Sequence, residues 1–114
     1  MTAKLKKGKN RARYFEFIID SGADFTLISQ TDASLLGIDY RDLKTKEIKV
    51  EVANLSFIHA KRTTVKCTIG NNDFSIPILI AKEEVERLLG RKGVFSNFEI
   101  TFKEREQYVL FKKI

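Results

Sequence analysis

Asp20 closes the apolar run Phe17-Ile18-Ile19 and is followed at once by Ser21-Gly22. Phe15, Phe17, Ile18 and Ile19 are aromatic or β-branched, the types a buried strand prefers, and Ser-Gly is turn chemistry. The pattern therefore predicts a carboxylate held where a sheet meets a tight loop. Gly22 has no Cβ, so the chain can turn sharply and aim backbone N–H groups at the Asp20 side chain, while the Ser21 hydroxyl stays free to bond elsewhere. The same tripeptide closes ordinary Asx-turns, in which the carboxylate only caps its own loop. As chemistry, a carboxylate fixed in this way suits acid–base work on water, and that work needs a second one. Two carboxylates held close cannot both ionise comfortably, so they share a proton: the ionised member takes a proton from water while the protonated member donates one, and the pair titrates as a unit. The chain carries a single Asp-Ser-Gly, and the nearest paired acids, Glu83-Glu84, fall in a stretch that reads as a solvated helical turn. A two-fold axis beside Asp20 would supply the missing half from a second copy.

A second motif lies downstream. Leu88-Leu89-Gly90-Arg91 is an apolar pair, a glycine and a cation, followed by a short helical turn and the strand-like Phe98-Glu99-Ile100. Together with Asp20-Ser21-Gly22-Ala23-Asp24 it resembles the retropepsin-like aspartic proteases of the single-domain microbial type, over the span Tyr14 to Phe102. The resemblance implies an aspartic endopeptidase that hydrolyses peptide bonds as a homodimer, with one Asp20 from each subunit as the catalytic pair and a peptide or protein as substrate. Ser21 would bond across the dimer axis and brace the two loops. Gly22, Ala23 and Asp24 would face the substrate. Leu88, Leu89 and Gly90 would pack behind the catalytic loop, and Asp24 and Arg91 match positions that pair in the family. Such a pair, if buried, costs about 3–5 kcal/mol when one member is removed. No cofactor and no metal site is expected.

Family members cover the substrate with a glycine-rich hairpin flap. The matching segment, Val52 to His59, contains no glycine. Asn54 and Ser56 can still turn the chain, because Asn tolerates positive φ, and Leu55 and Phe57 fall near the tip, so Asn54, Leu55, Ser56 and Phe57 are the flap's candidate substrate contacts. Such a flap is stiffer and bulkier than one built on glycine. It keeps open a second reading, a retropepsin-like module that dimerises and binds without efficient cleavage.

The elements that must position these residues read mostly as strands. Residues 1–13 form a basic arm or edge hairpin turning at Lys7-Gly8-Lys9-Asn10, with a short polar edge strand, and residues 14–114 form the protease-like domain. Tyr14 to Ile19 is the first core strand and Phe25 to Ser29 the second. Gln30 to Gly37 reads as a short helix capped by Thr31 and ended by Gly37, with Leu35 and Leu36 toward the core. Thr45 to Ala53 alternates charge with Ile48, Val50 and Val52, an edge-like strand; Arg62 to Ile69 and Phe74 to Ile80 pair across Gly70-Asn71-Asn72-Asp73, with Pro77 at an edge or bulge. Glu83 to Leu89 reads as a helical turn, and Phe98 to Phe102 with Tyr108 to Phe111 as a final hairpin. Short strands at this spacing predict an all-β fold, a small closed β-barrel with one or two short helices, which is also the fold the resemblance implies.

Composition excludes other classes. At 114 residues and 43% hydrophobic the chain makes one domain with an ordinary core. It has no apolar run long enough to span a membrane and no apolar segment after its basic start, so a soluble, cytoplasmic protein is expected. Cys67 is the only cysteine, which rules out an internal disulfide and fits a reducing compartment. The net charge of +6 gathers in part at Lys4, Lys6, Lys7, Lys9, Arg11 and Arg13, but no aromatics interleave with these cations as a base-stacking surface needs, so the sequence argues against nucleic acid as a partner.

Overall fold

The computed structural model describes residues 1–52, 56–103, 105 and 108–114. Strands β1 (Thr2–Lys6), β2 (Arg13–Glu16), β3 (Ile18–Ile19), β4 (Thr26–Ser29), β5 (Ile48–Val52), β6 (Ser56–Ile69), β7 (Asn72–Ala81) and β8 (Leu88–Leu89) make one sheet in the order β2-β1-β6-β7-β4-β8-β3, with β5 added on β6. The two ends of that order, β2 and β3, are successive pieces of the same chain, parted only by Phe17. The sheet therefore curls round on itself into the small barrel that the strand spacing predicts. A separate two-stranded sheet, β9 (Phe98–Lys103) and β10 (Tyr108–Lys113), is the final hairpin.

Alternation of side chains along the central strands sorts the apolar residues into two layers. Ile28, Ile76, Ile78 and Ile80 point into the barrel with Leu5, Val65, Cys67, Leu89 and Val94. Leu27, Leu79, Ala81, Ile58 and Ala60 point to the opposite face and form a second cluster, joined by Phe25, Val50, Val52, Val85 and Leu88. The first layer is the core; the second is the floor of a cleft. The C-terminal hairpin closes one side of the core through Phe98, Ile100 and Phe111, with edge-on ring contacts from Phe98 to Phe74 and Phe111.

Several local expectations are corrected. β1 is not a polar edge strand: it lies between β2 and β6, and Ala3 and Leu5 are buried in the core. The single strand expected over Tyr14 to Ile19 breaks at Phe17, where β2 leaves β1 and β3 joins β8. Helix α1 (Gln30–Leu35) is capped by Ser29, whose hydroxyl accepts from the Asp32 N–H, and not by Thr31, whose hydroxyl bonds Glu84 instead. Only Leu36 faces the core; Leu35 is half exposed. Glu83 to Leu89 forms no helical turn: it bends at Glu83, runs irregularly over residues 84–87, and ends in Leu88–Leu89, drawn in as a strand parallel to β3 and antiparallel to β4. β6 begins at Ser56, well before Arg62, and its first half pairs with β5. Pro77 sits one residue short of the point where β4 joins β7, so it faces a strand on one side only, as its missing N–H requires. Among the described residues no helix is long and apolar enough to cross a membrane.

Candidate functional site

Strands β3 and β4 flank the loop Asp20–Phe25, and β8 lies between them. This wedge explains the Leu-Leu-Gly-Arg motif. Ile18 and Ile19 take Leu88 and Leu89 as parallel partners, and Leu27 pairs with Leu88 from the other side. Leu89 is fully buried, while Leu88 turns to the cleft cluster. Backbone bonds then lace the loop to the segment behind it: Asp20 N–H donates to the Leu89 carbonyl at 3.0 Å, Arg91 N–H to Ala23 at 2.9 Å, and Lys92 N–H to Asp24 at 2.8 Å. At Gly90 the chain runs so close to Phe25 that a Cβ would collide with the Phe25 backbone, which is why glycine stands there. The Gly90 N–H is satisfied by the Thr26 hydroxyl at 3.1 Å, and Thr26 is wholly buried.

Within the loop the Gly22 N–H donates to Asp20 Oδ1 at 2.9 Å. A Cβ on Gly22 would come within 3.3 Å of that oxygen. The carboxylate is thus oriented by its own turn and only partly covered, with Ser21 and Gly22 exposed beside it. The Asp24–Arg91 pair forms, at 2.9 Å, but its side chains are 60% and 57% exposed. The burial on which the larger cost depends is not met: at this exposure the bridge is worth about 0.2–1 kcal/mol, and the backbone bonds do most of the tying.

A cleft of about 400 Å³ opens in front of the loop, lined by Asp20, Gly22, Ala23, Asp24, Phe25, Leu27, Val50, Glu51, Val52, Leu79 and Leu88. Its floor is apolar, and of the three acids on its wall, Asp20, Asp24 and Glu51, Asp20 is the one oriented by the Gly22 N–H, an arrangement suited to holding an extended peptide against a fixed carboxylate. The β5–β6 hairpin overhangs one side, in the register Ile48↔Ala60 to Val52↔Ser56. Val50 and Val52 face the floor with Ile58, whereas Phe57 lies opposite Glu51 on the outer face, half exposed under the Lys49 ammonium at 4.5 Å from its ring. The structure does not bring Phe57 into the cleft. Ser56 opens β6 and is exposed; Asn54 and Leu55 lie outside the described residues. His59 anchors the hairpin's base: its N–H and ring Nδ1 meet the Glu83 carboxylate at 2.9 and 2.8 Å, and its carbonyl accepts from Lys82 N–H. These bonds hold the Glu83 carboxyl below the usual carboxylate range, the ring contact first and the backbone N–H second.

Sequence reasoning missed Thr26, Phe25, Leu27, Val50 and Leu79, and it placed Val52 in the flap segment without naming it among the substrate contacts. A threonine inside the otherwise apolar Phe25-Thr26-Leu27-Ile28 was the one local signal, since a hydroxyl buried in such a strand needs a partner. The cleft apolars carried none, because alternation tells which residues share a face but not which face is the floor.

No curated protein matches the sequence. The structure is similar to the crystal structure of a retropepsin-like aspartic protease from Rickettsia conorii, with a TM-score of 0.66 and 21% sequence identity over 97% of this chain and 78% of that one. The sequence profile of the aspartyl proteases matches residues 2–92, which takes in both the Asp20 loop and the Leu88–Arg91 segment behind it. With the strand wedge, the loop it braces and the family match in agreement, the chain belongs to the aspartyl protease family and has the retropepsin-like fold.

Proposed function

We propose that the protein is an aspartic endopeptidase that works as a homodimer, with Asp20 of each subunit forming the catalytic pair. The observation that carries this is the oriented Asp20 carboxylate at the head of an apolar cleft, in a family whose chemistry needs two such groups and a chain that contributes one. In the reaction the ionised Asp20 takes a proton from a bound water, whose oxygen bonds to the scissile carbonyl carbon. The protonated Asp20 of the second copy donates to the carbonyl oxygen. Collapse of the tetrahedral intermediate breaks the C–N bond as the nitrogen is protonated, and the pair returns to its shared-proton state. Ser21, exposed beside the axis-facing loop, braces the two copies; Gly22, Ala23 and Asp24 contact the peptide backbone; the β5–β6 hairpin covers it.

A second reading, a dimeric module that binds peptides without cleaving them, is favoured by the hairpin. Val50 and Val52 pack onto the cleft floor, and no glycine loosens the turn. Cleavage of an unfolded protein, followed across about pH 3 to 7 where carboxylate pairs titrate, separates the two. Hydrolysis with an acid optimum that vanishes in Asp20→Asn is the expected result. A dimeric wild type that cleaves nothing across that range establishes the binding module, and cleavage that survives Asp20→Asn removes Asp20 from the chemistry.

A further inference from the structure

Phe25 forms the wall of the cleft just past Asp24, and two cations converge on its ring: the Arg62 guanidinium carbon stands 5.1 Å from the ring centre and the Lys92 ammonium 4.6 Å. They arrive from distant parts of the chain. Arg62 pairs with Leu79 and shares the face of β6 that carries Ile58 and Ala60, the cleft side; the Thr45 hydroxyl donates to its carbonyl and fixes the strand there. Lys92 is set by its N–H bond to the Asp24 carbonyl. Among the described residues no carboxylate lies within ion-pair distance of either cation, and the neighbouring acid, Asp24, is already engaged by Arg91. A guanidinium against a ring face keeps its in-plane N–H donors free, and these match a carboxylate in a two-pronged bond.

We propose that Arg62 and Lys92 make a cationic subsite, backed by Phe25, that selects a glutamate or aspartate side chain of the peptide substrate. The inference rests on the proteolytic reading and deepens it. Arg62 and Lys92 are not among the residues lining the cleft beside Asp20 and meet it only through Phe25, so we place the acidic residue outside the two that flank the scissile bond. In a symmetric dimer the subsite recurs at both ends of the cleft, giving an acidic preference on each side. Both cations are exposed, so their pull weakens with salt.

The test uses peptides identical except for Glu, Gln or Lys, scanned through the positions on either side of the cleaved bond. At low salt kcat/KM should favour Glu over Gln by about fivefold to tenfold at one or more outer positions, as two exposed ion pairs allow, and the ratio should shrink as salt rises. The charge-reversed double variant Arg62→Glu/Lys92→Glu should turn the preference toward Lys, while Arg62→Lys retains it. A merely structural role for the two cations predicts no such inversion. Equal rates for Glu and Gln at every position in the wild type, or a preference unchanged by charge reversal, overturn the proposal. Binding of the same peptides to Asp20→Asn, read by fluorescence anisotropy, keeps it apart from proteolysis: if the wild type cleaves nothing, a Glu-over-Gln affinity ratio in this variant still supports the subsite, and equal affinities refute it.

Discussion

The buried Thr26 hydroxyl accepts the N–H of Gly90, joining the strand that leaves the Asp20 loop to the segment that supports it from behind. Thr26→Val keeps the shape and removes the acceptor, leaving a buried N–H unsatisfied, so it should cost about 1–3 kcal/mol, whereas Thr26→Ser should cost less. Gly90→Ala should be worse than its size suggests, because the added methyl meets Phe25 backbone and not a movable side chain. Urea unfolding of the three variants orders them, and a Thr26→Val as stable as wild type would show that the bond contributes nothing.

The Asp24–Arg91 bridge, by contrast, is exposed on both sides. Asp24→Asn and Arg91→Gln should each destabilise by about 0.2–1 kcal/mol at low salt, and the effect should fade as ionic strength rises. Chemical denaturation at two salt concentrations checks this. A loss of several kcal/mol that persists in high salt would mean that the pair is buried, as in a tight dimer.

Glu83 gives a pH dependence of known sign. Its carboxyl is held below the ordinary value by the His59 ring and N–H, so protonation favours the unfolded chain. Its stabilising contribution is full above the unfolded value, about 4.3, and is lost as pH falls through the lower folded one. The Tm difference between wild type and Glu83→Gln should therefore be largest near neutrality and close up toward about pH 3. A difference that grows on acidification contradicts the clamp at the hairpin's base.

Burial, with a smaller push from Asp73, raises the Cys67 thiol to about 12. The native thiol should react with a disulfide reagent at least about tenfold more slowly than a free cysteine, and urea should release it. Rapid modification of the folded protein would place Cys67 at the surface.

Short-range chemistry explains what could be read in advance. The Asp20 turn depends on neighbours within a few residues, an apolar run, a serine and a glycine, and the N–H of Gly22 indeed bonds Asp20. The edge character of β5 and the β6–β7 pairing across the Gly70 turn follow equally from period-two alternation and turn residues. Where two local solutions competed, tertiary contacts chose. Ser29 caps α1 while Thr31 is engaged by Glu84, and Glu83 to Leu89 forms no helical turn because both edges of Leu88–Leu89 find strands to pair with.

By itself the sequence determined the strand-rich pattern, the single positioned acid and the two motifs that must meet, since each is written in residue type over a few neighbouring positions. Only the tertiary structure decided that Thr26 bonds Gly90, that the Asp24–Arg91 bridge is exposed, that Val50 and Val52 rather than Phe57 face the cleft, and that Arg62 and Lys92 converge on Phe25. Those relations join residues distant along the chain, and they depend on which face of a curled sheet turns inward, a choice made by packing the whole core at once.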